Sequence, residues 1–108
     1  MQKSLWLSFD LGVKGDYESL YAWLDNHQAT ECGDDVAFVK YEVPEGSADE
    51  MLRRVTKDLK ESIDFSKSDR IYVAYLGDDG TLKGRFVVGK RKAAPWQGYG
   101  DAATEEDA

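Results

Sequence analysis

Leu5-Trp6-Leu7-Ser8-Phe9-Asp10-Leu11 sets Leu5, Leu7, Phe9 and Leu11 against Trp6, Ser8 and Asp10. Strict alternation with a period of two marks a half-buried β-strand, with the aliphatic set toward a core. The polar set, with one tryptophan among it, then belongs to the opposite face of whatever sheet the strand joins. That assignment governs everything that follows along the chain.

Gly12 and Gly15 break the alternation, and Asp16 stands where a helix N-cap belongs. Tyr17, Leu20, Tyr21 and Leu24 follow at helical spacing, and predict a helix to about His27 with these four on its apolar stripe. Thr30-Glu31-Cys32 and Val36 to Val43 read as extended segments around Gly33-Asp34-Asp35, either one bent strand with a bulge or a tight hairpin. After Pro44 and Gly46, Ser47-Ala48-Asp49-Glu50 has the spacing of a capping box. The helix behind it places Met51, Leu52, Val55, Leu59 and Ile63 on one stripe. Arg70 to Leu76 is a strand by its β-branched and aromatic content, and Gly77-Asp78-Asp79-Gly80 turns it into a partner strand from Leu82 to Val88.

Two helices, each apolar on one side, imply a single antiparallel sheet with both helices on one face. The expected class is therefore α+β, a ferredoxin-like sandwich with an added edge strand. Residues 1–89 form that domain, 90–100 a basic and aromatic C-terminal segment, and 101–108 an acidic tail expected to be disordered. With 108 residues the chain suits one domain. Its apolar runs are far shorter than the ~20 residues that span a bilayer, and the N-terminus lacks a signal-peptide pattern, so a cytoplasmic protein is expected. The single cysteine, Cys32, makes no internal disulfide or zinc cluster.

The net charge of -7 excludes a broadly basic nucleic-acid coat. Its distribution is uneven: Lys83, Arg85, Lys90, Arg91 and Lys92 lie in a ten-residue stretch without an acid, while Asp101, Glu105, Glu106 and Asp107 crowd the end. In Lys90 to Tyr99, three consecutive cations precede Trp96 and Tyr99, a mixture suited to phosphates and stacked bases. The same residues could instead anchor the segment to a sheet or to a second subunit. Trp6, on the open face, likewise calls for a partner. Lys83-Gly84-Arg85-Phe86-Val87-Val88 is faintly similar to the ribonucleoprotein motif of RNA-recognition domains, but it lies on the wrong strand, and that family is rejected.

Asp10, ending the first strand beside the open face, is a candidate ligand for a hard divalent cation; the plainer alternative is a turn aspartate holding backbone amides. Asp34 and Asp35 match the second Gly-Asp-Asp turn at Gly77, which makes them ordinary turn residues, and Asp16 is a cap. His27 lacks a second ligand, Cys32 lacks a partner base, and Ser8 sits in no nucleophile pattern. Gly12-Val13-Lys14-Gly15 has the wrong spacing for a phosphate loop.

The element order, with Leu7-Ser8-Phe9-Asp10-Leu11 and Glu31-Cys32-Gly33-Asp34-Asp35-Val36-Ala37-Phe38, resembles the group of CRISPR-associated protein 2 and virulence-associated protein D, over about residues 4–89. The resemblance implies a ferredoxin-like homodimer and a metal-assisted endoribonuclease, or a nucleic-acid-bridging subunit. Asp10 matches the family aspartate proposed to hold magnesium or manganese and would be the catalytic residue. Lys83, Arg85, Lys90, Arg91 and Lys92 would hold the RNA strand, with Trp6, Trp96 and Tyr99 as further binding residues. Asp35-Val36-Ala37-Phe38 stands where the group carries Ser-Val-Phe, so an expected serine is missing. The rival expectation is a non-enzymatic dimeric module that binds a protein or nucleic-acid partner through the open sheet face and the C-terminal segment.

Overall fold

The alternation of Leu5, Leu7 and Phe9 decides the layering. In a computed structural model, which describes residues 1–101, these three are buried in strand β1 (Gln2–Asp10), and Trp6 is 47% exposed on the other side. The chain continues through α1 (Tyr17–Asn26), β2 (Thr30–Glu31), β3 (Val36–Glu42), α2 (Ala48–Ser62), β4 (Arg70–Leu76) and β5 (Leu82–Val88). The strands form one sheet in the order β2-β3-β1-β4-β5, with every neighbouring pair antiparallel. This is the expected ferredoxin-like α+β arrangement, and β5 is the added edge strand.

Both helices cover the same face. Leu20 and Trp23 of α1 and Met51, Leu52, Val55 and Leu59 of α2 join the inward residues of β1, β3 and β4 in one apolar cluster. Burying each such side chain contributes about 1.5–3 kcal/mol, so this cluster holds the two helices on the sheet. No helix among the described residues is long and apolar enough to cross a membrane.

Residues 30–43 are a hairpin, not one bent strand: Thr30 pairs with Phe38 and Glu31 with Ala37. The α1 stripe is rotated from the expected one. Trp23 is buried and Tyr21 exposed, because the Trp23 indole N–H finds an acceptor in Asp58 Oδ2 of α2 at 3.0 Å. The same carboxylate lies 3.5 Å from His27 Nε2 and accepts from the Tyr41 hydroxyl at 3.3 Å. His27 stacks on Trp23 with ring centroids 4.0 Å apart, which makes it part of a packed cluster.

The capping box closes by half. Ser47 Oγ accepts from Glu50 N at 3.1 Å, but the Glu50 carboxylate turns outward to Arg53 and Arg54. Asp78, from the turn between β4 and β5, caps the Ala48 amide of α2 instead at 3.0 Å. Its neighbour Asp79 binds the Thr81 hydroxyl and amide, and these bonds hold its carboxyl down at about 2. Asp16 accepts from Ser19 N and Asp64 N, the second bond being the main reason its carboxyl lies below the ordinary range. The expected turn and cap roles of these acids hold. The expected acidic tail, apart from Asp101, lies outside the described residues.

Candidate functional site

The face away from the helices is built by the same alternation. Ser8 and Asp10 of β1 stand beside Tyr72 and Arg70 of β4, and Tyr72 stands beside Phe86 of β5. The register slips between Ile71 and Tyr72, which leaves Val87 as an extra residue on β5 and lets both Val87 and Val88 be buried. Beyond β5 the chain turns at Gly89, where φ is +74°. A Cβ there would lie 2.4 Å from the Asp69 carbonyl oxygen, so only glycine fits this left-handed turn. The turn sends residues 91–96 back along the sheet end, and between segment and sheet lies a cleft of about 320 Å³.

Cations and rings converge in the cleft. Arg70 Nη2 donates to Asp10 Oδ2 at 2.7 Å, and the Arg70 guanidinium lies 5.6 Å from the centroid of the Phe86 ring. Arg91 lies 5.4 Å from the same centroid, so two guanidinium groups share one ring. Phe86 meets Tyr72 edge to face at 4.9 Å. Tyr72 in turn lies across Gly84, where a Cβ would fall 2.1 Å from its hydroxyl. Trp96 completes the rim and is 74% exposed. Each cation–ring contact is worth about 0.5–1 kcal/mol at such exposure. The Asp10–Arg70 pair adds no more than about 1 kcal/mol, because Asp10 is largely solvated. Arg70 Nε is buried without a hydrogen-bond partner among the described residues.

One buried carboxylate fastens the floor of this site. Asp69, 1% exposed, accepts from the amides of Gly12 and Ser66, each at 2.7 Å. It thereby ties the loop after Asp10 to the loop before Arg70. Burial raises its carboxyl, but the bonds from Gly12 and Ser66 outweigh that, and it titrates below the ordinary range.

The expected site residues divide. Asp10, Arg91, Lys92 and Trp96 come together in the cleft, joined by Ser8, Arg70, Tyr72 and Phe86. Trp6 is on the same face but one pair further along, against Phe38 at 5.1 Å. Lys83 and Arg85 point to the helix side. Lys83 pairs with Asp79 at 3.4 Å, and Arg85 lines a groove with Arg53 and Lys57 of α2. Lys90 is exposed outside the cleft, as is Tyr99 at 90%, so neither anchors the segment to the sheet of its own chain. The ten-residue basic stretch is therefore two surfaces rather than one.

A hard divalent cation takes about six to eight oxygen ligands. Among the described residues Asp10 is the one carboxylate lining the cleft, and its Oδ2 already holds Arg70. Nor is any group of three or more His, Cys, Asp and Glu among the described residues disposed around a common point. One chain by itself does not fit such an ion. Arg70, Tyr72 and Phe86 escaped the sequence reading, although the alternation that exposes Trp6 also exposes them, given Ile71 and Val73 as the core set.

Compared with known proteins, the chain matches no protein-family model, no curated protein and no solved structure.

Proposed function

We propose that this chain is a binding module for single-stranded RNA, held on the open sheet face between β4, β5 and the returning C-terminal segment. The observation that carries the reading is the shared Phe86 ring with Arg70 and Arg91 on it and the exposed Trp96 beside it. Stacking rings set among cations suit unpaired bases and their phosphates, whereas a duplex keeps its bases stacked inside and offers nothing to such a shelf. Among the described residues the cleft presents three cations against one carboxylate, an excess that the total of -7 conceals. Trp6 and Phe38 extend the aromatic surface along the sheet for a second nucleotide or a second copy of the chain.

Fluorescence anisotropy with a labelled single-stranded RNA, at two salt concentrations, tests this. Binding should weaken with salt, and Trp96→Ala should cost about 1–3 kcal/mol if a base stacks there. Salt-independent binding, or none, removes the reading and leaves a protein partner as the alternative. The same mixtures with magnesium or manganese, run beside Asp10→Ala, test hydrolysis. Cleavage abolished in the variant makes the protein an enzyme; equal cleavage in both, or none, leaves binding alone.

A further inference from the structure

We infer that the cleft selects a guanine base, read by the side-by-side pair of Asp10 and Arg70. This rests on the proposed RNA binding and adds what that binding would recognise. A carboxylate in a site for polyanions repels phosphate, so the presence of Asp10 in the lining of the cleft calls for a use. As a solvated carboxylate Asp10 is an acceptor only, with two oxygens and spare lone pairs on each. Oδ2 is the oxygen next to Arg70, whose Nη2 lies 2.7 Å away. Along the pair the polar groups therefore run acceptor, acceptor, donor.

Of the four bases only guanine carries the complementary order on its Watson–Crick edge, with two adjacent N–H donors, at N2 and N1, followed by the O6 acceptor. Cytosine offers one donor and two acceptors, uracil a donor between two acceptors, and adenine a single donor beside one acceptor. Unstacked bases in single strands are read on this edge. The pair is also held ready: Arg70 is largely buried and packed on Phe86, and Gly12, two residues past Asp10, is tied down by Asp69. A purine is the larger stacking partner for the exposed Trp96 ring, Phe86 being covered by Arg70 and Arg91. Arg91 and Lys92, at the rim, would meet the phosphates on either side.

The test uses the full chain and labelled RNA hexamers of uracil with one central guanine, adenine, cytosine or inosine, with affinities from anisotropy. The guanine hexamer should bind about 5- to 150-fold tighter than the uracil parent, the range for one well-made bidentate contact. Inosine, which keeps N1–H and O6 but lacks the N2 donor, should fall between guanine and the others. Asp10→Asn replaces one acceptor by a donor at a solvated position, and the guanine-to-uracil ratio should fall toward one; circular dichroism checks that the variant is folded. Equal binding of all hexamers overturns the guanine inference while leaving RNA binding intact. So does an undiminished guanine preference in Asp10→Asn. Absence of binding to every hexamer overturns both.

Discussion

Replacing Asp69 by asparagine asks whether one carboxylate holds the floor of the cleft. Its two oxygens accept from Gly12 N and Ser66 N, at 2.7 Å each, in a position closed to water. Asparagine keeps the size but has a single acceptor, so one buried amide loses its partner and faces an NH₂ group. A buried donor left unsatisfied costs about 1–3 kcal/mol, and Asp69→Ala, which strands both, should cost roughly twice that. Domains of this kind are stable by about 5–15 kcal/mol, so either loss is readily measured. In urea denaturation at pH 7, a loss of about 2 kcal/mol with a slope near 2 kcal/mol per molar shifts the midpoint by about 1 M.

The pH dependence gives a second readout. The folded carboxyl of Asp69 titrates below its unfolded value of about 3.9, so its contribution is complete above that pH and is lost as pH falls through the folded value. The gap between wild type and Asp69→Asn should be widest near neutrality and begin to close below about pH 3.9, because only the wild type loses the interaction there. A gap under about 0.5 kcal/mol at pH 7, within the range of a surface substitution, refutes the reasoning. So does a gap that stays constant into acid.

Other consequences follow from the same geometry. Arg91→Ala with Lys92→Ala should lower the salt slope of RNA binding by about 1.4, at about 0.7 for each single-strand phosphate that is no longer neutralised, measured from affinities across a salt series. The Gly89→Ala variant must force a Cβ against the Asp69 carbonyl at a φ of +74°, and should lose about 1–3 kcal/mol in thermal or urea melts together with RNA affinity. The Tyr41 hydroxyl is pushed up to about 12, first by burial and then by Asp58. In Asp58→Asn it should titrate lower but still above its ordinary value of about 10, read by ultraviolet absorbance of the phenolate.

The parts of the fold that were legible in the sequence are those whose signal is local. The β1 alternation and the α2 stripe each state which side is buried, and Met51, Leu52, Val55, Leu59 and Ile63 are all buried as their spacing requires. The α1 face was not legible, because Tyr17 to Leu24 admits two overlapping stripes. The choice rests on Asp58, a residue distant in sequence that satisfies the Trp23 indole. Strand β2 was legible as the extended Thr30-Glu31-Cys32, but with two paired residues it did not declare whether it runs on into β3 or folds back against it.

For the site, Asp10 and the Arg91, Lys92 and Trp96 group were visible as residue types, but their meeting depends on the turn at Gly89. Nothing in the segment itself says which way it folds back. The separation of Lys83 and Arg85 from Arg91 and Lys92 follows from strand alternation on β5, which clustering by sequence position overlooks.

Arg70, Arg91 and Lys92 gather at one end of the open face, on a chain whose net charge is -7. A polyanion is repelled at a distance by the net charge of the chain and attracted by the cations of the cleft only once it is close. The repulsion is long-ranged and is screened beyond about 8 Å at physiological ionic strength, while the interactions inside the cleft act at short range. Association should therefore quicken as salt is first added, even as the finished complex dissociates faster. That opposes the usual kinetics of basic RNA-binding proteins, whose capture slows with every increment of salt.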